Sequence, residues 1–131
     1  MSELLAAAKA ARMNAYAPYS VYRVGAALLG TDGHVYTGCN VENASFGATI
    51  CAERAAVLKM VEAGCHEWTQ ILVATQDGGM PCGMCLQVLS EFLTPDGQAE
   101  VSWADETGVK GSVAFNELMP YQFEYQKSGK K

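Results

Sequence analysis

No stretch of this sequence stays apolar for long; the longest, near Val24 to Leu29, is far short of the roughly 20 residues that a membrane-crossing helix needs. The N-terminus also lacks a charged segment followed by an apolar one, so the sequence is read as cytosolic, without a leader. Positive charge is scarce: nine Lys and Arg stand against fourteen Asp and Glu, for a formal net charge of -5. The basic residues are scattered except for Lys127, Lys130 and Lys131 at the end. With no basic face, nucleic-acid binding and attachment to an anionic membrane are excluded as expected functions. Linkers, repeats and low-complexity blocks are missing too. With 131 residues, half of them hydrophobic, residues 1–131 are expected to form one domain with a core, with a flexible tail from about 124. The cysteines number five. In a reducing compartment an odd count argues against a disulfide framework and for metal binding or simple burial.

What is present alternates in character. Leu4, Leu5, Ala8 and Ala11 recur at helical spacing, which predicts a first helix over 3–14 with Ser2 as its N-cap. Pro18 breaks the following segment. Residues 21–29 read as a strand, 30–33 as a hairpin turn and 34–38 as the return strand. A polar, irregular loop over 39–50 precedes a helix over 52–63 that Gly64 should end. Further expectations are a strand at 71–75, a glycine-loosened segment at 78–79 and a helix over 83–92. A strand at 101–103, a turn at 105–108 and a short helix at 115–118 complete them. Strands interleaved with helices predict an α/β domain, a three-layer α/β/α sandwich around a mixed sheet of about five strands.

That pattern puts Cys51 at the start of one helix and Cys82 and Cys85 at the start of another. Helix N-termini carry unpaired N–H groups and about half a positive charge, which favours thiolate over thiol. The spacing Cys82-x-x-Cys85 suits two ligands of one tetrahedral zinc, and equally a redox pair. Cys51 offers a third ligand. Cys65 and His66 lie beyond the intervening helix, ~20 Å from Cys51 at about 1.5 Å per residue, too far to close the site. Cys39 remains a possible fourth ligand from its loop. Cys39 and Cys65 otherwise read as small buried hydrophobes, and His34 as an exposed strand residue. Three thiolates and an open position make a catalytic site the better reading. Glu53 gains meaning from that position as a general acid/base, although Glu is favourable in any first helical turn.

At these residues the chain resembles a cytidine deaminase of the small, homotetrameric, three-cysteine kind. The resemblance runs from about Ala15 to Phe123, through Cys51-Ala52-Glu53-Arg54 and Pro81-Cys82-Gly83-Met84-Cys85-Leu86-Gln87-Val88-Leu89. It also takes in Ala17-Pro18-Tyr19-Ser20, the segments 24–28 and 38–44, and 117–123. This is the pattern by which zinc deaminases are known. It implies one Zn2+ per chain on Cys51, Cys82 and Cys85, with Glu53 moving protons between water, the ring nitrogen and the departing amino group. It further implies that Asn40 and Glu42 hold the ribose and Tyr22, in place of a usual Phe, packs near the sugar. Phe123 would reach over the base of a neighbouring subunit. The Ala52 backbone would meet the base carbonyl and the Met80 carbonyl its amino group, with Arg54 and Gln87 behind the metal ligands. The implied activity is hydrolysis of cytidine and 2'-deoxycytidine in pyrimidine salvage, by a cytoplasmic homotetramer that acts on a small nucleoside.

Two departures stand out. Leu86 replaces a common Arg, shifting charge compensation towards Arg54. The segment 76–80 is short and glycine-rich, with Met80 where a small polar residue is usual; room for substituents on the exocyclic N4 is the resulting expectation. Rival readings are a deaminase of another aminopyrimidine nucleoside such as blasticidin S, a structural-zinc module closed by Cys39, and a thiol redox protein.

Overall fold

The structure is a computed structural model and describes residues 2–125. Most of the tail expected from about 124, including its three lysines, therefore lies outside the described residues. Helix α1 (Ser2–Arg12) leads to the hairpin β1 (Gly25–Gly30) and β2 (Val35–Cys39). A single 3-10 turn (Phe46–Ala48) interrupts the loop before α2 (Ala52–Glu62). The chain continues through β3 (Trp68–Ala74), α3 (Gly83–Ser90), β4 (Glu100–Asp105), β5 (Gly108–Ala114) and α4 (Phe115–Leu118).

The strands form one mixed sheet in the order β2-β1-β3-β4-β5, with β3 and β4 parallel and the other neighbours antiparallel. Alternate side chains leave the sheet on opposite faces. Leu28, Ile71 and Val101 pack with Ala56, Val57 and Met60 of α2, Leu89 of α3 and Phe115 of α4. Ala27, Leu72, Ala74 and Ala104 take the other face, under Leu4 and Ala8 of α1. The expected three layers are therefore present, with α1 the helix on one side among the described residues.

Strand direction explains the layering. Because β2 and β3 both run antiparallel to β1, they are parallel to each other, and α2 is the crossover between them. Helix α3 is the crossover from β3 to β4. Both steps proceed in the same direction across the sheet, so right-handed crossovers put both helices on one face. Both helices consequently start at the same edge, above the C-terminal ends of β2 and β3.

Local chemistry sets the boundaries. Helix α2 ends where Gly64 turns left-handed (φ 95°); the Gly64 amide bonds the Val61 carbonyl and the Cys65 amide that of Met60. This is a Schellman cap, and Cys65 supplies its apolar contact by packing into the Met60 cluster. Trp68 is fully buried, its indole N–H donating to the Leu89 carbonyl at 2.9 Å and its ring meeting Phe115 edge-on.

Several expectations need correction. Ser2 lies within α1, not before it. The first strand begins at Gly25, not Val21, because polar contacts to Asn40 and Glu42 capture residues 19–24, and Val21 itself turns left-handed at φ 60°. Strand β5 was not anticipated: glycine and lysine interrupt its alternation, and pairing with β4 outweighs that weak local preference. The interruption expected at Gly78 and Gly79 is present, with no helix or strand over 78–80, yet the segment is held, since both amides donate to the Thr75 hydroxyl, at 2.7 and 2.8 Å.

Candidate active site

Cys51 and Cys82 are the N-caps of α2 and α3, each with extended backbone, and neither side chain makes a capping hydrogen bond. A Ser or Asp in these positions would spend its oxygen on the first-turn amides. The thiols are left uncommitted to the caps, close to the positive ends of two helices. Cys85, one turn into α3, is buried. The three sulfurs all lie within 4.8 Å of one another, and no further thiol, imidazole or carboxylate joins that cluster among the described residues. Cys39 sits on β2, outside it. Cys65 is buried in the core, and His34 is exposed beside Asp32.

Glu53 occupies the second position of α2 and is 5% exposed. The Cys85 thiol donates to its Oε1 at 3.8 Å. Burial, helped by the negative charge of Cys51, raises the Glu53 pKa and favours the protonated acid. An Arg54 Nη donates to the Thr49 carbonyl at 3.0 Å and to Cys51 Sγ at 3.8 Å. Its Nε is buried without a partner among the described residues.

These charges indicate what the cluster can hold. The Cys51 thiol is pulled down to about 5, first by a hydrogen bond from the Cys85 thiol and then by Arg54. Cys85 is pushed up by that same bond, by burial and by the charges of Glu53 and Cys51. One proton leaves this pair readily and the second does not, so a fully deprotonated cluster calls for a divalent cation. Three soft thiolates are a donor set that zinc accepts, and one that leaves a coordination position open.

A cavity of about 240 Å³ opens above these groups, lined by Cys51, Ala52, Glu53, Cys82 and Cys85 together with Tyr22, Asn40, Glu42 and Met80. Its size suits one small molecule. Asn40 is buried and doubly committed: its Oδ1 accepts the Val24 amide and its Nδ2 donates to the Tyr22 carbonyl. Glu42 accepts the Ser20 hydroxyl and then the amides of Ser20 and Tyr19, contacts that lower its pKa in that order and pin the 19–20 loop to the pocket. Phe123 does not line this chain's pocket; it is largely exposed, and the Gln87 amide donates to its carbonyl at 3.4 Å. Leu86 packs against the core cluster. Gly79 and Met80 line the pocket from within the segment 76–80 expected there, whereas sequence reasoning missed Thr75, whose hydroxyl donates to Asp77. A polar residue just past the C-terminal end of a parallel strand was the available signal for Thr75.

Residues 1–98 match the family described as the cytidine and deoxycytidylate deaminase zinc-binding region. A cytidine deaminase of Sporosarcina psychrophila is 46% identical over 94 residues, 70% of this chain and 69% of the relative. Another, from Halalkalibacterium halodurans, is 42% identical over 115 residues, 86% of each chain. The crystal structure of cytidine deaminase from Burkholderia pseudomallei superposes with a TM-score of 0.83 at 42% identity, covering 93% of this chain and 98% of that one.

Proposed function

This chain belongs to the cytidine and deoxycytidylate deaminase family, and on that premise we propose that it hydrolyses cytidine and 2'-deoxycytidine to the corresponding uridines and ammonia. The observation that carries the reading is the convergence of three thiols and one buried carboxylate at the base of a pocket for a single small molecule.

Zinc held by Cys51, Cys82 and Cys85 would supply Lewis acidity, lowering the pKa of water beside the carbon that bears the amino group. The residues of the chain do the rest. Glu53, protonated more readily than an exposed carboxylate, takes one proton from water and gives it to the ring nitrogen, then takes the second from the hydroxyl now on the ring carbon and gives it to the leaving nitrogen. Water adds, ammonia departs and the carbonyl of uridine remains. The Ala52 amide, unpaired at the first turn of α2, receives the base carbonyl, and the Met80 carbonyl receives the amino group. Asn40 and Glu42 face the ribose: an amide plus a carboxylate matches adjacent hydroxyls that both donate and accept, and the Glu42 charge repels a phosphate. Tyr22 packs beside the sugar. Arg54 offsets thiolate charge, and Gln87 steadies the Phe123 segment.

We further propose that residues 1–131 act as one catalytic domain in a cytoplasmic homotetramer serving pyrimidine salvage, with Phe123 completing a partner's pocket. Half-exposed Met80, a pliable side chain bordering the pocket, supports acceptance of N4-substituted cytidines. The alternatives draw less support: a structural-zinc module lacks a fourth ligand among the described residues, and the carboxylate–amide pair favours ribose over the blasticidin sugar.

The test is the ultraviolet change as cytidine becomes uridine, followed in zinc-loaded wild type and Glu53→Gln. The expected loss in the variant is about 10²–10⁴-fold with zinc retained. An inactive wild type, or an active variant, would overturn the reading.

A further inference from the structure

Tyr22 is fixed at three points. Its amide donates to the Ser20 hydroxyl at 3.0 Å, its carbonyl accepts from Asn40, and its phenol donates to Asp77 Oδ1 at 2.7 Å across 55 residues of sequence. The same Oδ1 accepts the Thr75 hydroxyl at 3.2 Å, and the Thr75 oxygen accepts the Gly78 and Gly79 amides. The Thr75 hydroxyl thus donates once and accepts twice, which is its full inventory. On its other side, the backbone of Asp77 bridges to Asp105 at the end of β4.

The fit is tight where these segments meet. A Cβ on Gly79 would lie 2.5 Å from the Tyr22 hydroxyl oxygen, so only glycine lets the phenol close against this backbone. Tyr22, tied through its carbonyl to Asn40, borders the pocket from one segment, and Gly79 and Met80 border it from another. The phenol–carboxylate bond is therefore the seam joining the segment next to Asn40 to the segment next to the metal ligand Cys82.

We propose that the Tyr22–Asp77 pair is a specificity-determining latch: it holds residues 77–80 against the pocket and so limits the size of the group admitted on the departing nitrogen. The inference deepens the deaminase reading and rests on it. A phenylalanine at position 22 keeps the ring and loses the seam. The shifts of both groups agree with such a bond, the phenol raised by burial and by Asp77, the carboxylate lowered first by Tyr22.

Tyr22→Phe, Asp77→Ala, Asp77→Asn and the double variant Tyr22→Phe/Asp77→Ala are compared with wild type. The readouts are kcat and KM for cytidine and for an N4-acyl cytidine, and hydrogen exchange of the Gly78 and Gly79 amides. In Tyr22→Phe and Asp77→Ala the N4-acyl to cytidine ratio of kcat/KM should rise about fivefold, the worth of one intramolecular hydrogen bond. The double variant should go no further than Asp77→Ala alone, because that substitution already removes the Tyr22 bond along with the one from Thr75. Asp77→Asn still accepts from the phenol and should stay near wild type. Glycine amide exchange should quicken in Tyr22→Phe while that of α2 holds. Unchanged ratio and exchange in Tyr22→Phe, or single effects that multiply, overturn the latch. If wild type deaminates cytidine while these tests fail, the latch falls and the deaminase reading stands. If wild type is inactive on cytidine, the deaminase reading falls and takes the specificity role with it, whatever the glycine amides show.

Discussion

Gly38→Ala tests how helix α2 is seated. A Cβ at position 38 would lie 2.4 Å from the Ala52 carbonyl oxygen, 2.6 Å from the Ala56 amide nitrogen and 2.9 Å from the Ala55 Cβ. Ordinary contact begins at 3.4 Å, and the first two obstacles are backbone, which cannot rotate away. Helix α2 must therefore lift by about 1 Å, at an overpacking cost of roughly 1–3 kcal/mol. At about 4 °C per kcal/mol, the melting temperature should fall by some 4–12 °C. The lift also moves Cys51 and Glu53 while Cys82 and Cys85, on α3, stay put. A displacement of ~1 Å at a reacting site costs on the order of 10²-fold in rate, so cytidine turnover should drop by that much. The assays are a thermal melt, zinc content per chain and absorbance loss on cytidine. Gly47→Ala is the control, because a Cβ there meets nothing within 4 Å. It should match wild type in stability or exceed it by up to about 1 kcal/mol. A Gly38→Ala protein with wild-type melting, zinc and turnover would refute the claim that helix and strand touch backbone to backbone at this point.

Arg54→Ala should weaken zinc binding by roughly 10–100-fold, read by competition with a chelator, since Leu86 packs in the core and cannot replace its charge; unaltered affinity would remove Arg54 from the site. Asp32, held to about 2 by the Tyr36 hydroxyl and then by the His34 amide, contributes stability that is present above its ordinary value of 3.8 and is lost as pH falls through the depressed one. The difference in melting temperature between wild type and Asp32→Asn should therefore be steady from pH 7 to about 4.5 and shrink towards pH 2; a gap that widens in acid would contradict the sign. Phe123→Ala should raise KM for cytidine while zinc content holds, if a partner's ring covers the base. Sedimentation of the same variant shows whether the tetramer survives, and a monomeric wild type would exclude the shared pocket.

The metal ligands and Glu53 were legible because their signals are local. A cysteine before an amphipathic run, a proline before Cys-x-x-Cys and glycines past helix ends each follow from chemistry within one turn of chain. Strand β5 was hidden for the opposite reason, its sequence Gly108-Val109-Lys110-Gly111-Ser112-Val113-Ala114 having little strand character until β4 supplies the partner. Residues 21–24 erred the other way, as β-branched and aromatic side chains suggested a strand that contacts to Asn40 and Glu42 forbid. The Tyr22–Asp77 bond joins residues that no spacing rule connects.

The sequence by itself determined the parts: which thiols stand at the starts of two helices and which carboxylate follows the first of them. Tertiary structure decided their assembly. Two crossovers of the same hand on one face of the sheet bring separate helix N-termini to one edge, where the sulfurs fall within 4.8 Å and burial gives Glu53 its raised pKa. Only that packing turns a short-range pattern into an electrostatic site, because charge and desolvation act through space and not along the chain.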